Sequence, residues 1–486
     1  MILLWLIVVL IGGGILAWVV ARAAPLLSRW ISVVAILLDL ALTLYLAVRN
    51  LNTGPWLAQT DWDWIPQFGI HFHLAMDGLS LLLVILTLFI GLLAVFVSWR
   101  EITAAVGFYH FNILCILAGI LGVFFSLDLF LFYFSWELML VPMYFLILMW
   151  GREHRARAAI KFFLFTQISG LLMLIAILAL YIAHYRVTGI YTFEYAELLG
   201  TPLSPLASMC IMLGFFAAFA VKLPVFPFHT WLPDACAEAS TGTNMILAGL
   251  LATTAGYGMI RFLFPLFPDA TRTFAPIAMI LAVIGILYGA FLALSQTNLM
   301  RLLAYASISH LGFVLLGIFA SNALSVQGAV MTMIAHGIST GALFLVAGLL
   351  EARTGSRELN SMSGLWDTVP RLSGAGLFFA LASLGLPGMG DFIGEFLVLL
   401  GTFRGHLIFA VIAACGVLAA TFYALRFVQR AFHGSNVRQL HLPDLAMREG
   451  FVLGIMIVAL LWLGFYPQPV FHTFAHAANH LPALWR

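Results

Sequence analysis

Apolar runs of roughly 20 residues, the length a helix needs to cross a hydrocarbon core, follow one another along nearly the whole chain with short gaps between them. The pattern predicts an all-α polytopic membrane protein of about 14 transmembrane helices. The spans are Ile2 to Val20, Trp30 to Val48, Leu79 to Val97, Phe111 to Leu127, Leu129 to Trp150, Phe162 to Ala183 and Leu206 to Ala220, then Met245 to Phe264, Ala275 to Leu294, Leu302 to Ala320, Gln327 to Leu350, Leu372 to Leu400, Leu407 to Phe427 and Phe451 to Tyr466. The first lacks a basic leader, exceeds the usual signal-peptide core and has Arg22 after it, so it reads as a helix rather than a cleaved signal.

Two spans break the pattern. The seventh carries Lys222-Leu223-Pro224-Val225-Phe226-Pro227 and the twelfth Gly385-Leu386-Pro387-Gly388-Met389-Gly390. Proline removes a backbone donor and glycine permits unwinding, so each predicts a helix interrupted within the membrane. The breaks lie five helices apart, as expected of an inverted repeat matching helices four to eight with nine to thirteen. The expected divisions are 1–109, 110–265, 266–432 and 433–486: three N-terminal helices, two five-helix repeats, and helix 14 with its tail. Two unrelated proline kinks are the alternative.

Composition sharpens this, since 63% of residues are hydrophobic and 9% charged, which excludes a water-soluble domain. Ionisable residues inside spans therefore become candidates for function. Glu137 stands mid-span between Phe130 and Leu140, and Lys222 sits at the first break, the other lysine being Lys161 in a loop. A lone buried ion is costly and pairing restores it, so the two are expected to be partners. A static pair locking two helices is the other reading. His310 and His336 fall within spans ten and eleven, where imidazole both accepts and donates a proton, though a packed, hydrogen-bonded histidine is equally consistent. Glu395 follows the second break and reads as the end of a proton-transfer series or as a carboxylate held by unwound backbone. His229 and Asp391 are auxiliary candidates beside the breaks. Asp128 is expected to open helix five as an N-terminal acid. His71, His73 and Asp77 are expected near the outer surface, and the residues give no reason to assemble a metal site from them.

Loop cations concentrate on the side reached after odd-numbered helices, among them Arg22, Arg152, Arg155, Arg157, Lys161, Arg353, Arg426, Arg430 and Arg438. That side is expected to be cytoplasmic, with both termini periplasmic in a bacterial inner membrane. Cys115, Cys210, Cys236 and Cys415 have no metal-ligand spacing, and at least three are expected to be packing residues. Gly12-Gly13-Gly14 lies within the first span rather than in a phosphate loop.

Met76-Asp77-Gly78-Leu79-Ser80, Trp136 to Tyr144 and His229-Thr230-Trp231-Leu232-Pro233-Asp234-Ala235 resemble the antiporter-like subunits of respiratory complex I over essentially the whole chain. Val141-Pro142-Met143-Tyr144, Gly385 to Phe396 and Gly464 to Pro469 look like the M-type subunit of bacterial NADH:quinone oxidoreductase. Glu395, where sister subunits typically have lysine, and a chain that stops soon after helix 14 agree with that choice. The resemblance implies a proton channel through Glu137, Lys222, a lysine in helix eight, His310, His336 and Glu395. It also implies sister antiporter-like subunits on both sides, FMN and iron–sulfur clusters on other subunits, and quinone as electron acceptor, with no cofactor or metal on this chain. The departure is Thr253, which stands where the family has its central lysine, flanked by Cys236 at a usual histidine and Ser240 at a usual proline. A threonine hydroxyl orients water but holds no proton at neutral pH. Three alternatives follow: a homologous subunit of another complex, such as a membrane hydrogenase or an inorganic-carbon uptake system; a solitary cation/proton antiporter; and a pump-impaired structural paralogue.

Overall fold

The computed structural model describes residues 1–50, 54, 56–435 and 442–478; Arg438 and the end of the tail lie outside them. The helices are α1 (Ile2–Val20), α2 (Pro25–Asn50), α3 (Gly78–Glu101), α4 (Val106–Phe125), α5 (Leu129–Leu138), α6 (Leu140–Trp150), α7 (Arg155–Thr188), α8 (Tyr195–Leu198), α9 (Pro205–Lys222), α10 (Trp231–Glu238), α11 (Thr241–Gly249), α12 (Leu251–Gly258), α13 (Phe264–Leu266), α14 (Pro268–Ser295), α15 (Leu299–Phe319), α16 (Ala323–Thr354), α17 (Pro370–Ser383), α18 (Gly390–Gly405), α19 (Leu407–Ala431), α20 (Met447–Phe465) and α21 (Gln468–Ala478). Thirteen helical segments among the described residues are long and apolar enough to cross a membrane. The expected twelfth span is absent from that set because its break divides it into α17 and α18, of 14 and 16 residues.

Both expected breaks are present. Between α9 and α10 the chain turns through 223–230, and the indole N–H of Trp231 donates to the freed carbonyl of Val221 at 2.9 Å. A polar neighbour thus satisfies backbone that lipid could not. Between α17 and α18, Gly385 and Gly388 take φ of 80° and 95°, values that glycine reaches without a Cβ penalty. Two further interruptions escaped the sequence reading. The fifth span divides at Met139 into α5 and α6, where Pro142 has no N–H to offer the carbonyl of Leu138. The eighth divides at Leu250, with φ −118°, and ends in a π-turn over Met259–Leu263.

Helices α11, α12, α15 and α16 form the interior, whereas α1, α2, α7, α14, α19 and α20 present outward apolar faces. Small residues set the closest crossings. Gly249 and Gly337 meet backbone to backbone, so that a Cβ on Gly249 would lie 2.9 Å from the Gly337 carbonyl oxygen. Short antiparallel pairs occupy the connection between α2 and α3: β1 (Ala58–Thr60) with β4 (Leu74–Met76), and β2 (Asp63–Ile65) with β3 (Ile70–His71). The amino-terminal nitrogen donates to Thr60 Oγ1 at 2.5 Å, which places this hairpin on the same side as the N-terminus.

Cys115 and Cys236 are buried, but Cys210 and Cys415 are exposed on outward faces, so two cysteines rather than three are packing residues. Asp128 caps α5 as expected, its Oδ1 accepting from the N–H groups of Phe130 and Leu131 at 2.8 and 2.9 Å.

Candidate proton-transfer site

The candidate residues fall into two clusters, one on each broken helix. Lys222 is the last residue of α9 and is buried. There it sits at the negative end of the helix dipole, which favours a cation. Its Nζ lies 3.8 Å from the centre of the Trp136 ring, a cation–π contact. Glu137 follows Trp136 on α5 and is half-buried. Tyr133 and Gln167 flank its carboxylate, and Gly170 on α7 makes room for it, since a Cβ there would collide with Glu137 Oε1.

Glu137 and Lys222 line one small cavity with Thr166, Phe162 and Leu251, of about 10 Å³, near the least that holds a single water. The two are electrostatic partners, as the sequence suggested, but they form no direct salt bridge among the described residues and share the cavity. The Trp136 face takes the ammonium instead.

The second cluster is continuous. His310 on α15 is buried, and its Nδ1 lies 2.6 Å from Glu395 Oε1 on α18. Its Nε2 lies 2.8 Å from the Tyr423 hydroxyl on α19 and 3.1 Å from Ser383 Oγ at the end of α17. One tautomer satisfies the two shortest of these: Nδ1–H donates to the carboxylate and Nε2 accepts from Tyr423. Glu395 is therefore held by histidine rather than by the unwound backbone. His336 on α16 packs beside His310 with ring centroids 5.6 Å apart, its Nε2 2.9 Å from Ser307 Oγ and its Nδ1 3.0 Å from Thr340 Oγ1. Asp391, in the first turn of α18, accepts from Ser339 Oγ at 2.8 Å, while its Oδ2 is buried without a hydrogen-bond partner.

Thr253 lies on α12, buried, with its hydroxyl donating to the Leu250 carbonyl at 2.6 Å. His229 stacks among Phe226, Tyr288 and Tyr305 with Nδ1 unpartnered, and joins neither cluster by a hydrogen bond.

Sequence reasoning missed Tyr423, Ser383 and Gln167, whose polar groups carry no signal until the fold aims them. It also missed two charges inside spans. Asp39 on α2 is fully buried with neither oxygen hydrogen-bonded; a single acid in the run Ile36 to Leu42 was the available signal. Arg261, in the π-turn after α12, pairs with Asp77, each 2% exposed at the side chain. Asp77 thus caps α3 from the interior, donating nothing and accepting from Ser80 N–H at 2.9 Å. His73 is buried as well, so of the three residues expected at the outer surface only His71 is partly exposed there.

A family model described as NADH:quinone oxidoreductase/Mrp antiporter, transmembrane region, matches residues 126–422, which include every residue of both clusters except Tyr423. The chain belongs to this family. Within it, the chain is 48% identical to the NADH-quinone oxidoreductase subunit M of Escherichia coli, over 98% of this chain and 97% of that one. It is also 48% identical to the subunit M of Pseudomonas aeruginosa, over 100% and 98%. A chain from respiratory complex I of Thermus thermophilus with bound NADH superposes with a TM-score of 0.88 at 31% identity, covering all of both chains. A chain of the Mrp complex from Dietzia sp. superposes at 0.87 with 20% identity over 100% and 99%, a likeness of fold. The family's M-type members are antiporter-like, proton-translocating membrane subunits of NADH-quinone oxidoreductase, and this chain is one of them.

Proposed function

We propose that protons cross this subunit through the two clusters in series, driven by conformational change in redox subunits of the same complex. The observation that carries the proposal is His310, buried and hydrogen-bonded on one nitrogen to Glu395 and on the other to Tyr423. Such an imidazole can take a proton on one side and release it on the other.

In the first cluster Lys222 and Glu137 share a cavity without touching. A small movement of α5 against α9 brings them together or apart, and with that Lys222 keeps or releases its proton. The acceptor is water beside Thr253, then His336 and His310, and Glu395 passes the proton outward. In this reading the clusters hold equivalent places in two inverted five-helix repeats, with Glu137 and His310 on the second helix of each and Lys222 and Glu395 on the fourth. We place the subunit in a bacterial inner membrane with both termini periplasmic, between sister antiporter-like subunits. FMN, iron–sulfur clusters and quinone act on other subunits, and this chain acts as a non-redox part of the translocase.

Glu137→Gln in the intact complex tests this by proton release per NADH oxidised in sealed vesicles. The expected result is unchanged assembly with a lowered ratio, and a normal ratio refutes the role given to Glu137. A second reading, a pump-impaired subunit, is favoured by Thr253, whose hydroxyl proton is already given to Leu250. It predicts that Glu137→Gln leaves the ratio unchanged while damaging assembly.

A further inference from the structure

Outside the membrane spans, on the side that holds the N-terminus, the fold gathers histidine and carboxylate groups that the proton path does not use. Asp61 and Asp63 come from the first arm of the hairpin between α2 and α3, His71 from its second, and Glu194 from the turn before α8. Each of Asp61, His71 and Glu194 offers a ligand atom within 4.8 Å of the other two. His71 Nδ1 lies 3.6 Å from Asp61 Oδ1 and 3.3 Å from Asp63 Oδ1.

The ordinary reading is a surface ion pair, which contributes little to stability. Glu194 argues for more. It is 8% exposed, and while its Oε2 accepts the proton of His73 Nδ1 at 2.7 Å, its Oε1 is buried with no hydrogen-bond partner among the described residues. A desolvated carboxylate oxygen left unpaired bears its full desolvation penalty, which a bound cation would offset. We propose that Asp61, His71 and Glu194 form a divalent-cation site, with Asp63 as a further carboxylate at its rim.

Donor chemistry sets the class of ion. One imidazole nitrogen with carboxylate oxygens suits a borderline cation such as zinc, whereas calcium and magnesium prefer oxygen throughout. Donors at about 2.0–2.1 Å around a tetrahedral zinc stand roughly 3.3 Å from one another, close to the spacing already present between His71 and the two aspartates. Supporting hydrogen bonds fix Glu194 as those around ligating carboxylates do: His73 holds Oε2, and Gln59 holds the other nitrogen of His73 at 2.7 Å.

The site joins segments that are otherwise far apart in sequence. Glu194 forms a backbone bridge with Asp128, the cap of α5, and Asp128 lies about 13 Å along that helix from Glu137 at 1.5 Å per residue. A bound cation would tie the hairpin to the start of the helix that carries Glu137.

The test uses the intact complex, stripped with chelator and titrated with Zn²⁺ alone, comparing wild type with His71→Asn and Asp61→Asn. The readouts are bound zinc per complex and the X-ray absorption spectrum. The difference between proteins excludes zinc held by other subunits. The expected result is one equivalent of zinc present in wild type and absent in His71→Asn, with at least tenfold weaker binding in Asp61→Asn and a difference spectrum of one nitrogen donor with oxygen donors. Asp61 is exposed, so its substitution does not endanger the fold. Equal binding in all three proteins, or none in wild type, overturns the proposal.

Discussion

At the residue scale, the placement of Glu137 depends on what is missing opposite it. Gly170 presents no side chain, and the Glu137 carboxylate fills the space that a Cβ would need. Gly170→Ala should push the carboxylate away from the cavity it shares with Lys222 while leaving every titratable group in place. Since misplacing a reacting group by about 1 Å can cost 10²-fold, proton release per NADH oxidised is expected to fall several-fold at normal subunit yield. An unchanged ratio would show that the position of the carboxylate does not govern transfer. Lys222 makes a related point, because an aromatic face holds its ammonium while the carboxylate of Glu137 acts on it through the cavity. Sequence reasoning found both residues because an ion among apolar neighbours is conspicuous. Trp136, one position before Glu137, could not be singled out, since an aromatic residue in a membrane span is ordinary until its ring is seen beneath an ammonium.

At the scale of elements, the eighth span is held by an ion pair that crosses from the π-turn to the start of α3. Asp77→Asn keeps a good helix cap, because asparagine caps as well as aspartate, but removes the charge opposite Arg261. An unpaired buried charge costs about 3–5 kcal/mol, so a marked fall in the thermal midpoint of the purified complex is expected, with most of it recovered by adding Arg261→Met. The pair was invisible in sequence because Arg261 sits near a span end, where arginine is usual, and Asp77 is 184 positions away. The breaks at Pro224 and Gly385 were legible from proline and glycine together, whereas the one at Leu250 has only the single Gly249 beside it, and a lone glycine is common in membrane helices. Its cause is packing, with Gly249 pressed against Gly337.

A second element-scale contact responds to pH. Asp444 ties the segment before α20 to the first turn of α17, accepting from the N–H groups of Arg371 and Leu372 at 3.0 and 3.1 Å and from Leu445 at 2.8 Å. Partial burial opposes its charge, but those three donors and the Arg371 guanidinium hold its carboxyl below the ordinary value. A depressed folded value means stability that is present above the unfolded value of about 3.9 and lost as pH falls through the folded one. Hydrogen exchange at Arg371 and Leu372 should therefore accelerate as pH drops below about 4. Asp444→Asn should abolish that dependence, after allowance for the intrinsic exchange rate.

At the scale of the whole molecule, the proposed path requires two polar clusters to communicate across an interior of tightly crossed helices. On the surface the halves are joined by Asp234 on α10, which pairs with Lys161 at 2.6 Å and Arg301 at 2.8 Å. In the interior they are joined by α12 and α16, and α12 carries Thr253, at the position for which the resemblance implied a lysine. The succession of spans and short loops was legible from hydrophobic pattern, and two of the four breaks from proline and glycine. The length of the polar gap was not, because it depends on which hydroxyls remain free to orient water, and Thr253 has given its proton to Leu250. Thr253→Lys tests whether this gap limits transfer. The longer side chain must be accommodated in a buried site, at a cost of about 1–3 kcal/mol from overpacking, so subunit yield is the control. If water already bridges the clusters, the added ammonium leaves the proton-to-NADH ratio unchanged or lowers it by repelling a proton leaving Lys222. If the gap is rate-limiting, the ratio rises, and it rises only when Glu137 is intact, because the lysine extends a path that begins at the first cluster. Measuring the ratio in Thr253→Lys with and without Glu137→Gln therefore separates a repaired relay from a change in passive leak, which would not depend on Glu137.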